Sequence, residues 1–227
     1  MSLKKIAVAI DGPAGAGKSS ISKVVAKQLG YLYIDTGAMY RSVTWAVLHD
    51  GIDPTDQAAV ETILPTLELT MEPGNDACKV FVRGQEVTDL IRTPQVNNAV
   101  SEVASHKGVR QYLVERQRLL ADEGGVILDG RDIGSVVLPD AELKIYLTAS
   151  VKARAKRRWL EVQGTANEQS LDEITKNVER RDEMDKNREE SPLVCVADAV
   201  VIDSSDMTFD ETVNRILQLV QEIINHE

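Results

Sequence analysis

The stretch Ile6-Ala-Val-Ala-Ile10-Asp11-Gly12-Pro13-Ala14-Gly15-Ala16-Gly17-Lys18-Ser19-Ser20 decides the fold. An apolar run of strand character breaks into glycines and restarts as a helix whose apolar stripe is Ile21, Val24, Val25 and Leu29. That is the strand–loop–helix context that G-x-x-x-x-G-K-[ST] requires of a phosphate loop. Gly12, Gly15 and Gly17 let the backbone curl so that successive N–H groups point inward at phosphate oxygens, with a helix N-terminus behind them. Pro13, Ala14, Ala16 and Ser20 complete the cradle. In this reading Lys18 reaches the outer phosphates and Ser19 binds Mg²⁺.

The chain of 227 residues is long enough for one large α/β domain with a small insert, and it needs no disulfide staples. Cys78 and Cys195 lie far apart without C-x-x-C spacing, which argues against a metal or redox motif and fits a reducing compartment. Residues 1–5 carry no signal-peptide apolar core, and no run approaches membrane-spanning length, so a soluble cytoplasmic protein is expected. A formal charge of −10 repels polyanions. Arginines that meet phosphate should therefore gather in one cleft, which favours a small nucleotide over nucleic acid.

After the first helix, residues 31–35 are β-prone and end on Asp35-Thr36-Gly37, a turn and cap signal before a helix over 38–48. Arg41 near that helix start is either a substrate-phosphate ligand or a solvated surface residue. Residues 53–93 interrupt the βα rhythm: a short helix over 58–64, then an antiparallel hairpin of 67–71 and 79–83 around a Pro73-Gly-Asn-Asp76 turn. Helical spacing resumes over 96–103 and 109–120, carrying Ser101 and Arg110; nothing local distinguishes Arg110 from Arg116 or Arg118.

A buried-type strand over 125–128 then runs into Asp129-Gly-Arg131-Asp132. Asp129 has the position of a Walker-B-like acid that can hold Mg²⁺ or its waters, and Arg131 and Asp132 would project into the same crevice. Residues 143–147 form another core strand. A basic helix with Arg154, Arg157 and Arg158, an uncapped polar loop over 163–170 and a charged helix over 171–187 follow. With little apolar surface, that helix pair reads as a lid. Arg181, Asp185 and Arg188 stand on one helix face, as ligands or as a solvated salt-bridge ladder. A last strand over 197–203 and a helix over 209–224 close a three-layer α/β fold with a five-stranded parallel sheet.

Phosphate loops serve GTPases, ATPases and small-molecule kinases alike. No guanine-reading N-K-x-D occurs, and an acidic chain of this size lacks the basic track of a translocase. A kinase for a phosphorylated acceptor remains, because donor and acceptor both bring negative charge that compact arginines neutralise. His49, His106 and His226 are scattered and take no role, as suits an acceptor oxygen already ionised.

Four spaced motifs, Asp11-Gly-Pro-Ala-Gly-Ala-Gly-Lys-Ser19, Asp35-Thr-Gly-Ala-Met-Tyr-Arg41, Asp129-Gly-Arg-Asp-Ile-Gly134 and Glu179-Arg-Arg-Asp-Glu-Met-Asp-Lys-Asn-Arg188, resemble bacterial cytidylate kinases across essentially the whole chain. With Mg²⁺ read from the phosphate loop and a monomer as the default expectation, the resemblance implies ATP-dependent phosphorylation of CMP and dCMP on a core of the nucleoside-monophosphate-kinase type. It implies a core over about 1–52, 107–150 and 190–227, an acceptor-binding insert over about 53–106 and a lid over about 151–189. By the same resemblance Thr36, Arg110 and Asp132 read the cytosine base, Arg41, Arg131, Arg181 and Arg188 hold the acceptor phosphate, and Ser101 and Asp185 meet the sugar. Arg154, Arg157 and Arg158 are expected near the donor phosphates. Thr36 stands where some relatives carry serine; the hydroxyl is kept and a methyl is added beside the base. The alternatives are a UMP/CMP or other nucleoside monophosphate kinase, or an ATP-binding regulator without transfer.

Lys18→Ala should cripple phosphoryl transfer while leaving the far-ultraviolet circular dichroism and melting transition intact. Near-wild-type turnover would remove the phosphate-loop reading.

Overall fold

The computed structural model describes residues 5–72, 79–165 and 168–226. The chain opens with β1 (Ala7–Asp11), α1 (Lys18–Leu29), β2 (Leu32–Asp35) and α2 (Thr36–His49). It continues through α3 (Gln57–Thr62), β3 (Thr70–Glu72), β4 (Lys79–Val82), β5 (Gln85–Glu86), α4 (Pro94–Val103) and α5 (Lys107–Ala121). It ends with β6 (Val126–Gly130), β7 (Leu143–Thr148), α6 (Val151–Val162), α7 (Leu171–Asn187), β8 (Val200–Asp203) and α8 (Phe209–His226). Two compact units emerge, one of residues up to Asp35 together with those from Gln117 onward, the other spanning Thr36–Arg116. Among the described residues no helix is long and apolar enough to cross a membrane.

The first unit is an α/β fold on a five-stranded sheet in the order β2-β6-β1-β7-β8, with every pairing parallel. β1 sits at its centre, and Val8, Ala9 and Ile10 have no exposed surface, which is why the opening run is apolar without alternation. Ile21, Val25 and Ala26 of α1 and Val213, Ile216 and Val220 of α8 pack on Ile10, Ile127 and Ile145. Each such aliphatic side chain contributes about 1.5–3 kcal/mol by leaving water. Because the strands are parallel, the loops after β1, β2, β6 and β7 all emerge at one edge, where open α/β sheets bind ligands. Gly12 begins that edge at φ +149°, and a Cβ there would lie 2.0 Å from the Leu147 carbonyl oxygen of the neighbouring strand.

The α6–α7 pair departs from expectation. Ala155, Val162, Ile174 and Val178 form a core of their own, flanked by Val151 and Trp159. The approach to α7 is capped, because Ser170 accepts from the Glu173 N–H and Glu173 reaches back to the Ser170 N–H. Residues 166 and 167 of the loop lie outside the described residues.

In the second unit α2 packs on α4. α2 starts at Thr36, two residues before the expected 38, so Thr36 is the first helical residue and not a cap. The hairpin is a three-stranded sheet, β3-β4-β5. Its first strand begins only at Thr70 because Glu68 takes φ +42°, which interrupts the alternating run. Arg83 and Gly84, both at positive φ, join β4 to β5 as a two-residue connection. The expected turn over 73–76 and Cys78 lie outside the described residues.

One contact ties the end of β1 to the segment beyond β6. Asp11 accepts from the Ile133 N–H at 2.8 Å and the Gly134 N–H at 2.7 Å, anchoring a π turn (Ile133–Val137) that sequence periodicity does not reveal. Burial pushes the Asp11 carboxyl up to about 6 despite these two donors, with the Asp132 charge adding to the rise. The folded state then holds a proton that the unfolded chain releases near its ordinary value of 3.8, so this group's contribution to stability falls as pH rises from about 4 to about 6 and is level above. Asp11→Asn removes the titration. The stability of wild type relative to Asp11→Asn should therefore drop by on the order of 2–3 kcal/mol between pH 4 and pH 7 in urea unfolding; a constant difference would show that Asp11 stays ionised throughout.

Candidate active site

In the first unit the phosphate loop winds through Gly15 and Gly17 at φ +76° and +88°, Gly17 being the residue from which α1 starts. Lys18 is buried and folds back along the loop, its Nζ donating to the carbonyls of Gly12 at 2.7 Å and Pro13 at 2.8 Å. Burial, and the positive charge of Arg131 nearby, hold its ammonium well below the ordinary lysine range, against the pull of Asp129 and Asp185.

The next residue connects to β6. Ser19 Oγ donates to Asp129 Oδ2 and Tyr33 OH donates to Asp129 Oδ1, both at 2.8 Å. Register explains the meeting, since Asp129 lies opposite Ile10 in β1 and opposite Asp35 in β2. Burial and the Asp35 charge beside it raise Asp129 above the usual carboxylate range. Burial and the same two carboxylates push Tyr33 up as well, so its hydroxyl stays a donor. Tyr33 is a member of this site that the β-prone run 31–35 gave no reason to single out.

The β6 turn meets α7. Arg131 Nε donates to Asp185 Oδ2 at 2.6 Å, and Arg188 Nη2 lies 3.6 Å from Asp132 Oδ1. Burial raises Asp185, but the charge and hydrogen bond of Arg131, helped by Arg181 and Arg188, leave it below its ordinary value. Of the two readings of the Arg181, Asp185, Arg188 face, the solvated ladder does not hold, because Asp185 is buried and spends its carboxylate on Arg131 across the fold. Arg188 also donates to the Ser191 carbonyl at 2.6 Å, which fixes its stem as the chain leaves α7.

The α6 arginines have three different sets of partners. Arg157 donates to the carbonyl and hydroxyl of Ser204 after β8. Arg158 is exposed and pairs with Glu161 at 3.1 Å. Arg154 is buried, with its guanidinium on Asp182, the Ala149 carbonyl and the Ala14 carbonyl of the phosphate loop. Such a contact has no local sequence signal.

Within the second unit, Thr36 is buried at the start of α2 and Arg41 is half-buried one turn later on the same helix. Arg110 of α5 is the buried one of the three arginines on that helix: it donates to the Ala104 carbonyl at 3.2 Å and stacks 5.4 Å from the Tyr40 ring centroid. Arg116 lies over the Tyr112 ring, and Arg118 donates to the carbonyls of Val136 and Val137. The approach to Arg110 is braced by Glu61, which accepts from the Gly108 N–H at 2.9 Å, and by His106, whose Nε2 lies 2.7 Å from the Pro54 carbonyl oxygen. Ser101 is half-buried on α4.

The family described as cytidylate kinase matches residues 8–222 of the chain. A cytidylate kinase of Ligilactobacillus salivarius is 48% identical over 220 residues, covering 97% of this chain and 98% of that protein. One of Listeria innocua is 47% identical over 223 residues, covering 98% and 99%. Among solved structures, a shikimate kinase from Bacteroides thetaiotaomicron superposes with a TM-score of 0.50 at 10% identity, covering 96% of this chain and 99% of that one. That likeness concerns the fold alone.

Proposed function

We infer, since the chain belongs to the cytidylate kinase family, that it transfers the terminal phosphoryl group of ATP to CMP and dCMP, giving CDP and dCDP. The observation that carries this reading is the burial of Lys18 within the field of Arg131, with Arg188 and Asp185 of α7 beside the same strand end. Like charges crowded at the carboxyl edge of a sheet are costly until anions arrive, so the site is built for phosphate on both sides of a transfer.

An oxygen of the CMP phosphate, already ionised, forms a bond to the terminal phosphorus of ATP as the bond from that phosphorus to the bridging oxygen breaks. The residues therefore supply alignment and charge neutralisation, with no general base. The N–H groups of residues 12–19 and Lys18 hold the donor phosphates. Arg131, Arg181, Arg188 and Arg41 hold the acceptor phosphate; a well-placed arginine is worth about 10³–10⁵ in rate. Asp132 accepts from the exocyclic amino group of cytosine and Arg110 donates to its O2/N3 edge, with the Thr36 hydroxyl alongside. Uracil, lacking that amino group, would forfeit this hydrogen bond to the buried Asp132. Ser101 and Asp185 are assigned to the sugar.

The Ser19 hydroxyl and Asp129 carboxylate, already 2.8 Å apart, are hard oxygen donors of the kind Mg²⁺ takes. Among the described residues no three His, Cys, Asp or Glu side chains gather as a metal-binding set, so the remaining ligands of such an ion are phosphate and water, as Mg²⁺ favours. When bound, the ion neutralises charge on the donor phosphates.

A coupled assay offering CMP, UMP, AMP and GMP as acceptors tests the reading. CMP should be preferred, and preference for UMP or the absence of acceptor-dependent ADP release would overturn it. Asp132→Ala should lower kcat/KM for CMP by about 100-fold, the cost of one lost buried charge-assisted hydrogen bond, while leaving KM for ATP within about threefold. An equal loss on both nucleotides would move Asp132 out of the base site.

A further inference from the structure

Arg154 is a buried guanidinium of the first unit whose partners are protein groups on three segments of the chain. Its Nε donates to the Ala149 carbonyl at 2.8 Å, and its Nη1 and Nη2 fork onto the two oxygens of Asp182. The second hydrogen of Nη1 goes to the Ala14 carbonyl at 2.8 Å. Four of its five donors are used, and both it and Asp182 are buried.

Both ends of this bridge lie in the phosphate machinery. Ala14 shares a planar peptide with Gly15, so drawing the Ala14 carbonyl toward Arg154 turns the Gly15 N–H the opposite way. Gly15 itself lies against α6, where a Cβ would sit 3.3 Å from the Arg154 Cβ. At the other end, Asp182 follows Arg181 directly and lies one helical turn before Asp185, which holds Arg131. A shift of α7 as its arginines engage phosphate is thus transmitted through one rigid fork to the orientation of a donor-binding N–H. Lysine, with a single point charge, cannot bridge three partners in this way.

We propose that Arg154 is a positioning residue that couples the phosphate loop to the arginine-bearing α7, so that ATP and CMP each tighten binding of the other. This rests on the reading of α7 as acceptor-phosphate helix. By linkage the enhancement is the same in both directions.

The test is calorimetric titration of CMP into the enzyme with and without a saturating non-hydrolysable ATP analogue. Wild type should bind CMP at least about fivefold more tightly with the analogue present. Arg154→Met combined with Asp182→Leu replaces the buried ion pair with apolar side chains of similar volume and should bring the ratio close to one in a variant whose melting transition shows it to be folded. Asp182→Asn, which keeps the shape but weakens the fork, should give an intermediate ratio and is the variant to read if the double substitution does not fold. A folded variant with the wild-type ratio, or a wild type with a ratio of one, overturns the coupling. Wild-type turnover of CMP, measured on the same preparation, decides the kinase reading separately.

Discussion

A buried lysine held beside an arginine is the constraint around which the first unit is arranged. Lys18 and Arg131 lie within each other's field, where low dielectric magnifies repulsion. Three cations of this unit are answered by carboxylates from elsewhere in the chain: Asp129 bears on Lys18, Asp185 pairs with Arg131 and Asp182 with Arg154. Two of these acids stand three residues apart on α7, which fixes the rotation of that helix, and the charges of Arg181 and Arg188 act on the second of them, Asp185. Acids that are themselves desolvated then need N–H and O–H donors, which is the part played by Ser19 and Tyr33 at Asp129.

Much of this was legible before any coordinates. Fully buried parallel strands announce themselves as unbroken aliphatic runs, as in β1 and β6, and the remaining three, though only partly buried, also appear in the expected stretches; all five end on Asp, Gly or Thr. α7 spans the expected 171–187, although its Ser170 cap departs from the uncapped loop expected before it. Contacts between distant residues were not legible: Asp11 reaches 122 and 123 positions ahead, Tyr33 reaches 96, and Arg154 reaches back 140 to Ala14. No local pattern encodes such partners. The choice among Arg110, Arg116 and Arg118 was likewise undecidable from spacing, and burial with a backbone carbonyl separates Arg110. Backbone exceptions such as Glu68 at φ +42° are invisible for the same reason, since ordinary propensity argues against them.

The helix pair α6–α7 illustrates how composition misleads when read without partners. Its surface is charged, yet four aliphatic residues and one buried ion pair join the helices to each other. Joined in this way, the two helices are held as one body, so any hinge of the proposed lid would lie near Ala149 or after Asn187.

Gly12 carries a different lesson. Its missing side chain is demanded by the Leu147 carbonyl of the adjacent strand, a requirement of sheet assembly that exists whether or not a nucleotide ever binds. Selection for a folded protein alone would preserve this first letter of the phosphate-loop signature. A descendant that had lost all catalytic power could still display it, so the glycine testifies to ancestry and architecture, and testimony to activity has to come from Lys18 and the arginines.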